Sequence, residues 1–145
     1  MFDRFTERAR RCIFFARKFV SDYGSPVIET EYLLLGMLEA DASVIRLLLP
    51  SKTTEEIRAE VEKGIVRKPE IPTNIDIPLS AEGSQILTLA LEEADAMRHQ
   101  RVDIAHLVAA TVREQRGVAG QILRSAGLNL EAVRQQLSKG EADTY

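Results

Sequence analysis

The chain has 145 residues, 45% of them hydrophobic and 28% charged. That is the balance of one compact globular domain, and a formal net charge of -3 argues against a general attraction to phosphate backbones. Its apolar runs fall far short of the roughly 20 residues that cross a bilayer, and the charged start "MFDRFTERARR" has no apolar signal core. Cys12 is the only cysteine, so no internal disulfide can form, which fits a reducing, cytoplasmic compartment.

The first predicted helix starts after Thr6, a suitable N-cap, and carries Ala9, Ile13, Ala16 and Val20 at helical spacing until Gly24, Ser25 and Pro26 end it. A second helix begins near Glu29 to Glu31 and runs through apolar residues to about Ala40. A short third bears Val44, Leu47 and Leu48 and stops at Pro50, and a fourth runs from about Thr54 to Lys63, with Gly64 as its stop. The stretch "RKPEIPTNIDIPLS" (67–80) is a connector, because Pro69, Pro72 and Pro78 remove donors and fix extended backbone. Ile71, Ile75 and Ile77 make it too apolar for a free linker, so it is expected to lie against the domain. Four more helices follow. Ser80 caps one carrying Leu87, Ala90, Ala94 and Met97; Asp103 caps the next; Gly117 opens a short one with Val118 and Ile122; Asn129 caps the last, with Val133 and Leu137. The tail "GEADTY" is expected to fray.

The second set of four repeats the first. Shifted by 74 positions, "VIETEYLLLGML" falls on "RVDIAHLVAATV", Ala16 on Ala90, Leu33 on Leu107 and Leu49 on Leu123. After Leu49 the second copy gains two residues, and Ile57 then faces Val133. The reading is an all-α single domain over 1–145, with repeat one at 5–65, a linker at 66–78 and repeat two at 79–140. Leu33, Leu34, Leu107 and Val108 are expected in its core, since both copies are apolar there.

"RFTERARR", "ETEYLLLGML", "REQRGVAGQIL" and "NLEAVRQQL" together resemble the Clp N-terminal domain, the double-repeat module at the front of the Clp/Hsp100 unfoldases, and most of all its ClpC type. The resemblance covers nearly the whole chain. It implies eight helices in a pseudo-twofold arrangement that dock adaptors and substrates for ATPase rings. It also implies a phosphoarginine site in each repeat, where a glutamate takes the guanidinium and the start of that repeat's first helix lies near the phosphate. Carried over, the first site is Glu31 with Thr6, Glu7 and Arg8. The second is degenerate, because Ala105 replaces the glutamate beside Ser80, Ala81 and Glu82. Chemically, a carboxylate pairs with a guanidinium through two charged hydrogen bonds, and free N–H groups at a helix start attract phosphate. The alternative is that Glu31 only complements the dipole of its own helix.

The remaining residues point away from catalysis. No G-x-x-x-x-G-K-[ST] phosphate loop or G-x-S-x-G elbow is present, and His99 and His106, the only histidines, match no metal-ligand spacing. His106 reads as structural, and Cys12, beside Ile13, as a core residue rather than a nucleophile. Phe15 and Phe19, four apart, share a helix face with Cys12 while Phe14 points elsewhere; the aromatic load is expected mostly in the core, an exposed Phe14 or Phe19 marking a docking patch. The basic residues of "ERARR", with Arg17 and Lys18, form a solvated face. The expected function is a protein-interaction module without cofactor or metal, monomeric in isolation, that binds adaptors or substrate peptides and neither nucleic acid nor membrane. The alternative is an accessory subunit that modulates a Clp complex without reading substrate. A hydrolase or transferase using Cys12 or a histidine lacks a motif.

Overall fold

The computed structural model describes residues 2–139; the expectation of a frayed tail concerns residues outside that range. Among the described residues there are eight helices: α1 (Glu7–Tyr23), α2 (Thr30–Asp41), α3 (Ser43–Leu48), α4 (Thr54–Lys63), α5 (Ala81–Ala96), α6 (Ile104–Arg113), α7 (Val118–Ser125) and α8 (Leu130–Lys139).

The caps explain where they begin. The Thr6 hydroxyl accepts from Ala9 N at 3.2 Å and the Ser80 hydroxyl from Gly83 N at 3.0 Å. At α4, Thr53 and Glu56 exchange hydrogen bonds in a capping box, and Asn129 Oδ1 accepts from Ala132 N at 2.8 Å to start α8. Helix α1 ends on Gly24 at φ 75°. A Cβ there would also sit 2.3 Å from the Pro69 carbonyl oxygen, so the position needs glycine twice over.

Helices α2 and α6 are the central pair. Helix α2 packs on α1, α4, α5, α6 and α7, and α6 on α1, α2, α3, α5, α7 and α8. A helix enclosed on all sides is apolar all round, and Leu33, Leu34, Leu107 and Val108 are buried as expected. Gly36 lets α1 and α2 approach closely, because a Cβ would meet the Cys12 carbonyl oxygen at 2.2 Å. In α3 the buried side chain is Ile45, while Leu47 is exposed. The connector does lie against the body. Lys68 N donates to Tyr23 O and Ile71 N to Ser21 O, both at 2.9 Å. The Arg17 guanidinium clamps the carbonyls of Pro72 and Ile75. Ile71 and Ile77 are half-buried, but Ile75 points outward.

The two sets of four helices are related by a pseudo-twofold axis, and the backbone carries it. Two isolated parallel bridges join the sets: Phe5 with Val102, and Ile28 with Leu79. The 74-residue shift turns one bridge into the other. Thr6 N donates to Val102 O and Val102 N to Arg4 O; in the image, Ser80 N donates to Ile28 O and Ile28 N to Pro78 O. Two of the three positive-φ positions among the described residues also correspond, Gly24 at φ 75° and Arg98 at φ 60°.

Candidate functional site

These bridges decide which helix starts meet. The start of α1 lies beside the start of α6, and the start of α5 beside the start of α2. The sequence-based grouping placed each first-helix start with the second helix of its own repeat. The structure crosses them, because each bridge runs between repeats.

At the α1–α6 junction the Thr6 hydroxyl donates to Asp103 Oδ1 at 2.8 Å. Arg8 Nε donates to the same oxygen at 2.7 Å, and its terminal nitrogen binds the other carboxylate oxygen. Arg8 also lies 3.7 Å from Asp41. Burial alone would raise the Asp103 carboxyl, but hydrogen bonds from Arg8, the Ile104 amide and Thr6, with the charge of Arg8, outweigh it and hold the group below the usual carboxylate range. Glu7 faces solvent and pairs with Arg11 at 3.1 Å. Ala105 is half-buried and packs on the core. Behind Asp103, His106 and His99 are buried and share a hydrogen bond of 2.8 Å between Nε2 and Nδ1. Sequence reasoning missed this cluster; its signal was two histidines flanking a helix N-cap aspartate.

At the α5–α2 junction the same backbone carries different side chains. Ser80 caps α5, Ala81 is exposed, and half-buried Glu82, at the place of Arg8, lies 3.8 Å from Arg116. Glu29 stands at the place of Asp103 and makes no side-chain cap hydrogen bond. Glu31, on the first turn of α2, lines an open cleft of about 290 Å³ with Glu29, Pro26, Tyr32, Ile65, Val66 and Lys68. None of Thr6, Glu7 and Arg8 lines that cleft, and Ala81 and Glu82 line a separate hollow with Arg113 and Arg116. Burial pushes the Glu31 carboxyl above the ordinary glutamate range, against hydrogen bonds from its own amide and Thr30, and the neighbouring Glu29 charge adds to the rise. A half-buried carboxylate in such a cleft is suited to a cation, because a cationic partner would restore what desolvation costs.

Elsewhere, Cys12 is fully buried beside the Leu33 carbonyl at 3.6 Å, and burial pushes its thiol up to about 12, so it is a core residue without thiolate character. Phe15 and Phe19 are half-buried, with Arg58 over the Phe19 ring at 5.1 Å. Phe14, on a different face of α1 as its spacing predicts, is 66% exposed, and none of the three rings is fully buried, so they edge the core rather than fill it. The basic face is not simply solvated either, since Arg8 and Arg17 are engaged as described. Among the described residues no His, Cys, Asp and Glu group could hold a metal ion, and no helix is long and apolar enough to cross a membrane.

The family model of the Clp repeat (R) N-terminal domain matches residues 4–126 and 78–143. The chain is 33% identical over 146 residues to an ATP-dependent Clp protease ATP-binding subunit ClpA homolog of Guillardia theta, covering 99% of this chain and 18% of that protein. It is 32% identical over 139 residues to the chloroplastic chaperone protein ClpC1 of Oryza sativa subsp. japonica, covering 94% of this chain and 15% of the relative. The crystal structure of the N-terminal domain of the chaperone ClpD from Arabidopsis thaliana matches with a TM-score of 0.75 and 26% identity, covering 97% of each chain. The Hsp104 N-terminal domain from Candida albicans shares the fold at a TM-score of 0.74 and 18% identity, over 92% of this chain and 89% of that one. The matched repeats, the two bridges and these likenesses agree: the chain belongs to the Clp N-terminal domain family of the Clp/Hsp100 chaperones.

Proposed function

We propose that the chain is a protein-docking module that presents adaptors or substrate peptides to a Clp-type ATP-dependent unfoldase, and that it is not itself an enzyme. The observation that carries this reading is the open cleft around Glu31, a half-buried carboxylate with a raised pKa. In this reading Glu31 takes the guanidinium of an arginine side chain through paired charged hydrogen bonds. If that arginine is phosphorylated, the open N–H groups nearest its phosphate are those of Ala81 and Glu82 at the start of α5, since this start lies against Ile28 and the Ser80 N–H is already taken by the Ile28 carbonyl. Thr6, Glu7 and Arg8 serve the other junction, where Ala105 supplies no carboxylate. The exposed Phe14 is a second point of contact for a protein partner. The module works as a monomer in a cytoplasmic compartment, without a cofactor, and binds neither nucleic acid nor membrane.

The accessory reading, in which the domain modulates a Clp complex without reading substrate, is favoured by one feature. The second site has lost its carboxylate at Ala105, and its helix start is closed on Asp103. Titration of the labelled chain with arginine phosphate and with an arginine peptide, followed by NMR, separates the two. Docking predicts shifts at Glu31 and Tyr32 that Glu31→Ala weakens by about 1.5–3 kcal/mol, the scale of a charged hydrogen bond. No shift at millimolar ligand would leave the accessory reading.

A further inference from the structure

His99 and His106 lie buried against each other behind the α1–α6 junction, and their hydrogen bonds fix the protons. The backbone N–H of Asp103 donates to His106 Nδ1 at 2.8 Å, so that nitrogen holds a lone pair. A neutral imidazole has one N–H. His106 therefore carries its proton on Nε2 and donates it to His99 Nδ1 at 2.8 Å, and His99 keeps its own proton on Nε2. Both ring lone pairs are then filled. One more proton cannot enter without breaking either the bond between the rings or the bond that helps cap α6.

The broken bond would not be isolated. Asp103 is one of the residues that join the repeats here, through Thr6 and Arg8. The charged groups around the pair come from every neighbouring element. On α5, Glu93 is buried and held by Arg113 and Arg134, and Asp95 pairs with Arg4 at 2.8 Å. From the N-terminal segment, the Arg4 guanidinium donates to the carbonyls of His99 and Gln100. Arg98, with Arg4, Asp95 and Gln100, lines a solvent-facing hollow that His99 borders. On α6 stands Asp103, and on α1 Arg8. Burial first, and then the charge of His99, hold His106 down to about 4, while Asp103 and Glu93 pull it up. At the other junction the 74-residue shift places Ser25 and Tyr32 where His99 and His106 stand. Neither takes up a proton in this range.

We propose that the His99–His106 pair makes the α1–α6 junction an acid-sensitive latch. Proton uptake by the pair breaks the α6 cap and loosens the hold of Asp103 on Thr6 and Arg8, whereas the α5–α2 junction stays shut. The sign follows from the lowered His106 pKa. The open junction binds the proton more tightly, so closure weakens as pH falls from the ordinary histidine range toward about 4. The change is up to about tenfold per pH unit for one proton. Asp103 and Glu93 are held below the usual carboxylate range and titrate outside that window.

Amide hydrogen exchange measured by NMR at about pH 7 and about pH 5, corrected for intrinsic rates, is the test. The amides of Thr6, Val102 and Asp103 are expected to lose protection about tenfold or more relative to those of Ile28 and Ser80. Equal loss at both junctions, or at neither, overturns the latch. In the double variant His99→Ser, His106→Tyr, which copies the first repeat, the selective loss should vanish; its persistence also overturns the proposal. Should that variant not fold, the nitrogen-15 spectrum of the native chain decides. It should show both rings neutral with protons on Nε2 at neutral pH, and a proton on Nδ1 of His106 contradicts the latch.

Discussion

The two junctions between repeats have one backbone and two chemistries. Both use a parallel bridge, a hydroxyl-capped helix start and the same pair of backbone hydrogen bonds. At α1–α6 the side chains close on each other: Thr6 and Arg8 on Asp103, with the two histidines behind. At α5–α2 the corresponding residues are Ser80, Glu82 and Glu29, with Ser25 and Tyr32 in the places of the histidines, and Glu31, the image of Ala105, lies open to a cleft. The backbone keeps the symmetry, because burial of α2 and α6 requires it. The side chains at the rim are free to differ, and there one junction has become a fastener and the other a surface that can receive a cation.

The largest expected effect tests the shared part. Leu33 and Leu107 are images of each other and both are buried. Changing either to alanine should cost about 2–5 kcal/mol in a denaturant titration, the range for large-to-small core changes. A loss below about 1 kcal/mol at one of them would show that the two halves do not share a core equally.

The next pair of changes should have opposite signs. Gly24 and Arg98 occupy corresponding left-handed positions. Gly24→Ala places a Cβ against the Pro69 carbonyl and should destabilise by more than about 1 kcal/mol. Arg98→Gly should stabilise by about 0.5–1 kcal/mol, because it removes the side-chain penalty at positive φ. Thermal unfolding of the two variants reads both.

The acidic residues sharpen the contrast further. Asp103 and Glu93 have lowered pKa values, so their contribution is present above the ordinary carboxylate range and is lost as pH falls through their folded values. Glu31 has a raised value, so its charged form opposes folding, and the penalty grows as pH rises through that value. Glu31→Gln should therefore stabilise slightly at neutral pH, by a few tenths of a kcal/mol, the scale of a surface substitution. Asp103→Asn should destabilise, because Arg8 loses its charged partner. Urea midpoints at neutral and acid pH compare them, and a destabilising Glu31→Gln would make Glu31 a helix-dipole residue after all.

Much of the fold was legible because periodicity and caps are local. Thr6, Ser80, Asp103 and Asn129 each announce a helix start, and the 74-residue shift follows from apolar positions that must all face one core. The partner of each helix start was not legible. A repeat tells which residues correspond, not which ones touch, and nothing near Thr6 in sequence points to Asp103, 97 residues away. Ile45 was missed in favour of Leu47 because six residues are too few for a clear helical period. The separate facing of Phe14 was legible from its spacing to Phe15 and Phe19, but that the other two rings are only half-buried was not, because burial depends on what the face meets.

The crossed junctions are the centre of this account, and a pair of double-mutant cycles tests them most directly. The cycle between Arg8 and Asp103, read by unfolding free energy, should give a coupling of about 1–3 kcal/mol, the scale of a partly buried charged hydrogen bond. The cycle between Arg8 and Glu31 should give a coupling near zero. A substantial coupling of Arg8 to Glu31, with none to Asp103, would contradict the crossing and return the first-helix start to the cleft of its own repeat.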